Sequence, residues 1–282
     1  MAAEGVGTQV SLARSSRRGG LFGLRSWRDA AWGAASIAAF FLLWYVAAEV
    51  TNSRHPGLVA TPWHVFTTLT DLTTEPFAGR VLPLHVLSSL GRWGLGFGFA
   101  VLIGVPLGIL FGAVRIVREA VAPLFEFVRY IPPFAWIPLD ILWLGTGERA
   151  QALIVFIAAF PAVVISTQVG AAGVDPALLR ASTNLGAGRV RRLTQVITPV
   201  ALPAILSGIR ISASNGWMGL IAAELIGGRV GVGFLIGQGQ ANGDISIVMA
   251  GMVAIAITAA LLDLIVLSVG KRLTRWRTSV GS

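Results

Sequence analysis

Residues 150–171 read Ala150-Gln151-Ala152-Leu153-Ile154-Val155-Phe156-Ile157-Ala158-Ala159-Phe160-Pro161-Ala162-Val163-Val164-Ile165-Ser166-Thr167-Gln168-Val169-Gly170-Ala171, a run without one Asp, Glu, Lys or Arg. As a helix, such a run is long enough to cross about 30 Å of hydrocarbon. Working outward from it, five more long apolar runs occur, at Ala30–Val50, Trp93–Val114, Val121–Leu144, Pro199–Ile226 and Ile245–Val269. This pattern predicts an all-α, polytopic membrane protein with about six transmembrane helices. Composition agrees: 55% of the 282 residues are hydrophobic and 12% are charged, whereas soluble domains carry about 25% charged residues. The runs leave no stretch large enough for a separate globular domain, so any soluble activity has to come from a partner.

Several chemistries are excluded at once. The chain has no Cys, which removes disulfides, thiol catalysis and Cys-based metal sites. A phosphate-binding loop of the G-x-x-x-x-G-K-[ST] kind needs Lys followed by Ser or Thr, but the single lysine, Lys271, is followed by Arg272. No cofactor is therefore expected in this chain. The net charge of +9 lies in short clusters between apolar runs rather than along one soluble face. That distribution suits an anionic bilayer surface and not nucleic acid.

The basic clusters also orient the spans. With the N-terminus inside, the inside segments hold fifteen Lys and Arg residues, from Arg14 to Arg28, at Arg115 and Arg118, from Arg180 to Arg192, and from Lys271 to Arg277. The outside segments hold four, Arg54, Arg80, Arg149 and Arg229. Inside loops carry this excess, so both termini are expected to be cytoplasmic. Residues 1–29 read as a basic cytoplasmic tail, 30–50 as an uncleaved first span and 271–282 as a second basic tail. Residues 51–87 read as an outer loop. Within it Thr61 as N-cap and Pro62 at the first helical position start a short helix whose Trp63, Phe66 and Leu69 suit the outer interface. His55, His64 and His85 all fall in that loop at spacings that match no metal motif, and they read as solvated residues.

Charged groups at span depth are costly unless paired or wetted, so they mark a bundle interior or a pathway. Arg92, Glu126, Arg129, Asp140, Arg210, Glu224 and Asp263 are such groups. Glu126 and Arg129, at i and i+3, can pair on one helix face. The third run is broken by Pro123, Pro132, Pro133 and Pro138, which is tolerable only where neighbouring helices or a cavity satisfy the freed backbone. Arg210, Asn215, Trp217 and Glu224 form a polar stripe on the fifth run, and with Arg129 they are the candidate lining of a translocation path, although Arg210 could equally bond to helix ends. Gly104, Gly108 and Gly112 form a small-xxx-small series for close helix packing, either within the subunit or at a moving interface.

Between the fourth and fifth runs lies Asp175-Pro176-Ala177-Leu178-Leu179-Arg180-Ala181-Ser182-Thr183-Asn184-Leu185-Gly186-Ala187. Asp175 as N-cap, Pro176 at the first helical position and Gly186 as terminator predict a short capped helix. It suits a docking knob, or an amphipathic helix on the anionic leaflet helped by Arg189, Arg191 and Arg192.

This segment resembles the cytoplasmic signature of the type I permease subunits of bacterial ABC importers, E-A-A-x-x-x-G, nine residues, then I-x-L-P. The register here is Arg180-Ala181-Ser182, three residues, Gly186, nine residues, then Val196-Ile197-Thr198-Pro199. Glycine and proline keep the family spacing, while Arg180 stands in place of Glu. Further fragments follow in the same order: Ser88-Ser89-Leu90-Gly91-Arg92, Gly104-Val105-Pro106-Leu107-Gly108, Gly145-Thr146-Gly147-Glu148 and Ala222-Ala223-Glu224-Leu225-Ile226-Gly227. Together they look like the branch that serves nitrate, taurine, aliphatic sulfonates and thiamine-precursor pyrimidines.

The resemblance implies a type I ABC importer permease fold, with 88–270 as the core permease domain and a coupling helix near 175–187. It implies pairing with a second permease copy, commonly identical in this branch. It also implies two cytoplasmic ATP-binding cassette ATPases that hold ATP and Mg, and a separate extracytoplasmic solute-binding protein, in a bacterial inner membrane. Asp175, Arg180, Ala181, Ser182, Gly186, Ala187 and Pro199 then belong to the coupling region. The solute is expected to be small and anionic. Two other classes fit worse. A secondary transporter predicts repeated halves with matching broken segments, and one Pro-broken run stands without a counterpart. A membrane enzyme calls for clustered catalytic side chains, and the three histidines have no partner set.

Overall fold

The computed structural model describes residues 27–55 and 57–274. Most of the basic N-terminal tail and residues 275–282 of the C-terminal one lie outside the described residues, and with them Arg14, Arg17, Arg18, Arg25, Arg275 and Arg277.

Eleven helices follow in chain order among the described residues: α1 (Trp27–Arg54), α2 (Pro62–Thr74), α3 (Leu82–Ala113), α4 (Arg115–Arg129), α5 (Ile137–Leu144), α6 (Glu148–Ala172), α7 (Pro176–Asn184), α8 (Arg189–Arg192), α9 (Thr198–Gly227), α10 (Val232–Ala241) and α11 (Ile245–Leu273). A 3₁₀ turn at Pro133–Trp136 joins α4 to α5, and a π turn at Leu193–Ile197 joins α8 to α9. Among the described residues five helical stretches are long and apolar enough to cross a membrane: Ala30–Arg54, Leu82–Ala113, Glu148–Ala172, Arg189–Gly227 and Ile245–Leu273.

The third expected span differs. It is two short helices, α4 and α5, meeting at a bend over Tyr130–Trp136. Pro132 and Pro133 supply no backbone donor and hold the preceding residues out of helical geometry, so the ladder cannot run through.

The centre of the fold is a three-helix layer in which α6 lies between α3 and α9. Small residues set its spacing. A Cβ added to Gly108 would lie 2.6 Å from both Thr167 Cβ and Val164 O, and one added to Gly112 would lie 2.6 Å from Ala171 Cβ. Gly104 faces Val163, and Ala100, one turn before it, is fully buried. On the other side of α6, Gly170 meets Ala204, and Gly219 meets Ala158 at 2.8 Å. The glycine series thus packs α3 on α6 within the subunit, where contact rather than hydrophobic exclusion supplies the stability in lipid.

Trp93, Val155, Ala213, Trp217 and Leu220 form one buried cluster of this layer, and the Trp93 indole donates to Ala213 O at 3.1 Å. A second cluster, with Val65, Leu82, Val232, Leu235 and Ala250, ties α2, α3, α10 and α11 together. α1 stands apart. Among its described side chains only Ala48 is buried, and the helix is tethered by Trp44 Nε1 donating to Ala60 O (3.1 Å) and Asn52 Nδ2 to Val59 O (2.8 Å). Its exposed Phe40, Leu43 and Val50, like Leu102, Met252 and Ile265 elsewhere, are side chains suited to a bilayer.

Candidate functional site

Three constellations sit on this frame. The first is α7 with its flanks. The Asp175 carboxylate accepts from Ala177 N–H at 2.7 Å, and Pro176 occupies the first turn. At the other end Gly186 adopts φ +77°, with Gly186 N–H donating to Thr183 O (2.9 Å) and Ala187 N–H to Ser182 O (3.0 Å). This is a Schellman closure, which only glycine takes without strain. Arg192 Nη1 donates to the Thr183 hydroxyl at 3.1 Å and ties α8 to α7. Ser182 turns inward and bonds Leu179 O, whereas Arg180 and Ala181 are exposed. Leu178, Leu185 and Val190 are also exposed, with Leu185 86% open. Ala187 is half-buried, and Pro199 lies in the first turn of α9.

The second constellation is a cavity of 690 Å³ between α4, the bend, α5, α6 and α9. Its wall is chiefly aromatic and aliphatic, with Arg129, Asp140 and Asn215 as its charged or amide side chains. Arg129 pairs with Glu126, as their spacing predicts, and its guanidinium lies 4.6 Å from the centre of the Tyr130 ring.

The third is a buried polar network where α3, α9 and the start of α10 meet. Glu224 is fully buried. Its Oε1 accepts from Ser89 Oγ at 2.7 Å and lies 3.2 Å from Arg92, and its Oε2 accepts from Gly233 N–H at 2.9 Å. Arg92 also donates to Ser88 O, Val230 O and Gln151 Oε1. His85 Nδ1 accepts from Gly231 N–H at 3.0 Å, and its Nε2 meets Phe77 O at 3.1 Å, so the proton is assigned to Nε2. Val232 N–H donates to Ser89 Oγ at 3.1 Å, so three orphan donors at the start of α10 are satisfied by side chains of α3 and α9. Gly231, at φ +131°, brings its backbone against the Glu224 carboxylate, where a Cβ has no room.

His85 therefore corrects the expectation of a solvated loop histidine. α3 begins at Leu82, and its first turn carries His85 inward to full burial. Of the five residues expected along a path, Arg129 and Asn215 line the cavity. Glu224 lies in the closed network, and Trp217 is buried in the α3–α6–α9 core. Arg210 forms a two-pronged pair with Asp263 of α11 at 2.6 and 2.7 Å. Asp140 joins the cavity as a lining residue that the polar stripe did not include.

The missed network had a signal: His85, Ser89 and Arg92 recur at i, i+4 and i+7, one polar face of a helix. Among the described residues no three His, Asp or Glu group to hold a metal ion.

Long lipid-suited helices, a proline-broken cavity wall and an exposed capped helix between two spans define a membrane transport subunit. Residues 104–279 match the family described as binding-protein-dependent transport system inner membrane component, and the chain belongs to it. It is a permease of an ATP-driven, binding-protein-dependent importer.

The chain is 36% identical to the taurine transport system permease protein TauC of Escherichia coli (strain K12), over 87% of this chain and 89% of that protein. It is 30% identical to the nitrate import permease protein NrtB of Synechocystis sp., over 82% and 84% of the two chains. It is 31% identical to the bicarbonate transport system permease protein CmpB of Synechococcus elongatus, over 89% and 94%. In fold it matches a chain of the MetNI methionine ABC transporter in inward-facing conformations, with a TM-score of 0.61 and 20% identity. That match covers 68% of this chain and 96% of the other.

Proposed function

We propose that this permease pairs with a second copy of itself in a bacterial inner membrane, both termini cytoplasmic, and carries a small solute that bears an anionic group, such as taurine, another sulfonate, nitrate or bicarbonate. The named substrates of the relatives support that solute class. Each copy docks one cytoplasmic ATPase through α7, and ATP and Mg are held by that partner. A solute-binding protein delivers solute at the outer face, and the cavity beside Arg129 and Asn215 is part of the path. Arg210, Trp217 and Glu224 serve the frame rather than the path, because their polar atoms face protein partners or the packed interior.

The observation that carries the docking role is the exposed, doubly capped α7 between α6 and α9. A helix held at both ends by its own side chain and backbone moves as a rigid handle. Closing of the ATPases on ATP displaces it together with α8, and the π turn passes the movement to α9 and the proline bend beside it, which switches the access of the cavity from one side of the membrane to the other.

Ala181→Trp tests this, because Ala181 is exposed and contributes to no core. The variant is expected to insert and purify normally while losing ATP-driven uptake and co-elution with the ATPase. Unchanged uptake would reject docking through α7.

A further inference from the structure

We propose that the cavity reads a cationic nitrogen on its solute, through the carboxylate of Asp140 and the aromatic rings around it, so that the solute's acidic group is one end of a zwitterion. The inference rests on the cavity lying on the path and adds the chemical class that the path accepts.

Asp140 is 3% exposed, lines the cavity, and makes no hydrogen bond or ion pair with any described residue; its Oδ1 is buried without a partner. Trp136 stands one helical turn earlier, at i−4, and its Nε1 is likewise buried without an acceptor. A carboxylate that stays ionised in such apolar surroundings is stabilised by a positive group beside it. The arginines at span depth are otherwise engaged: Arg129 with Glu126, Arg92 with Glu224 and Gln151, and Arg210 with Asp263. No cation among the described residues pairs with Asp140, which leaves it open to a positive group on the molecule that enters.

The wall favours it. Phe125, Phe134, Trp136, Trp143, Phe156 and Phe160 all line the cavity, and ring faces attract an ammonium most strongly when water is excluded. Arg129 and Asn215, in the same wall, offer N–H donors to an acidic end, as does the free indole N–H of Trp136. A volume of 690 Å³ admits a small zwitterion with room to leave.

The absence of cysteine from the chain makes a direct test available. Met218 lines the cavity, so Met218→Cys places one thiol in it. The permease, purified with its ATPase partners in nanodiscs, is treated with N-ethylmaleimide, and labelling of the permease chain is timed. Taurine and ethanesulfonate, the same skeleton without the nitrogen, are compared at equal concentration and ionic strength. Taurine is expected to slow labelling several-fold while ethanesulfonate leaves the rate near its starting value. Adding Asp140→Asn is expected to raise the half-protecting taurine concentration about tenfold, the loss of one charged hydrogen bond.

Equal protection by the two compounds, no protection by taurine, or undiminished taurine protection in the Asp140→Asn variant would overturn the inference. The contrast between the two compounds needs only the Met218→Cys protein, so it stands even where the Asp140 variant fails to assemble. Labelling that responds to ATP but not to taurine leaves the path in place and removes the cation site. Labelling indifferent to both removes the path as well.

Discussion

Glu224 shows how an intramembrane ion can be structural. Its carboxylate satisfies Ser89 Oγ, Gly233 N–H and Arg92 together, so both of its oxygens are engaged within the protein. Removing one partner of a buried pair strands the other, at about 3–5 kcal/mol. Glu224→Ala should therefore lower the thermal midpoint of the purified protein sharply, and Glu224→Gln, which keeps a hydrogen-bonding oxygen, should lower it less. Midpoints close to wild type for Glu224→Ala would mean that Arg92 finds another acceptor. The Arg210–Asp263 pair makes the complementary case. Arg210→Met leaves Asp263 alone on α11, so the double variant Arg210→Met/Asp263→Met should be more stable than either single one, with a coupling of about 0.5–3 kcal/mol. Additive losses in a thermal double-mutant cycle would show that the two groups are independently hydrated. The sequence carried the charges of both pairs but not their partners, since residues 210 and 263, or 92 and 224, meet only after the helices pack.

Helices were legible where their signals are local. Five of the six long apolar runs became helices long enough to span, the proline-broken third did not, and Thr61-Pro62 and Asp175-Pro176 start α2 and α7 as capping chemistry dictates. The Glu126–Arg129 pair followed from spacing alone. α10 was not legible: ten residues that include three glycines show no period, and the helix is held by contacts from α3, α9 and α11. The start of α3 was missed because Val81-Leu82-Pro83 lies upstream of the apolar run, although proline in a first turn is a start signal. The small-residue series on α3 also extends further than Gly104, through Ala100 to Gly96, which faces Ala152 and Val155. That series makes a sharp prediction. Gly108→Leu should overpack the contact with Thr167, cost at least about 1–3 kcal/mol and reduce the monodisperse fraction on gel filtration. Gly98→Leu, on the same helix with nothing within 4 Å of its added Cβ, should elute like wild type.

Taken whole, the permease provides a path and a docking surface but no phosphate-binding loop of the lysine type in its sequence. Reconstituted without other proteins, it should accumulate no taurine against a gradient, and ATP should make no difference; uphill uptake by the lone chain in vesicles would contradict the importer assignment. The glycine contacts across α3, α6 and α9 also decide where such a subunit can yield. Backbones meshed at van der Waals distance cannot slide without first separating, so these three helices travel as one plate. Two interruptions of the backbone ladder border that plate, the proline bend at Tyr130–Trp136 and the π turn at Leu193–Ile197. Any bending of the subunit is therefore expected at these two creases rather than inside the plate, one beside the cavity and the other beside α7.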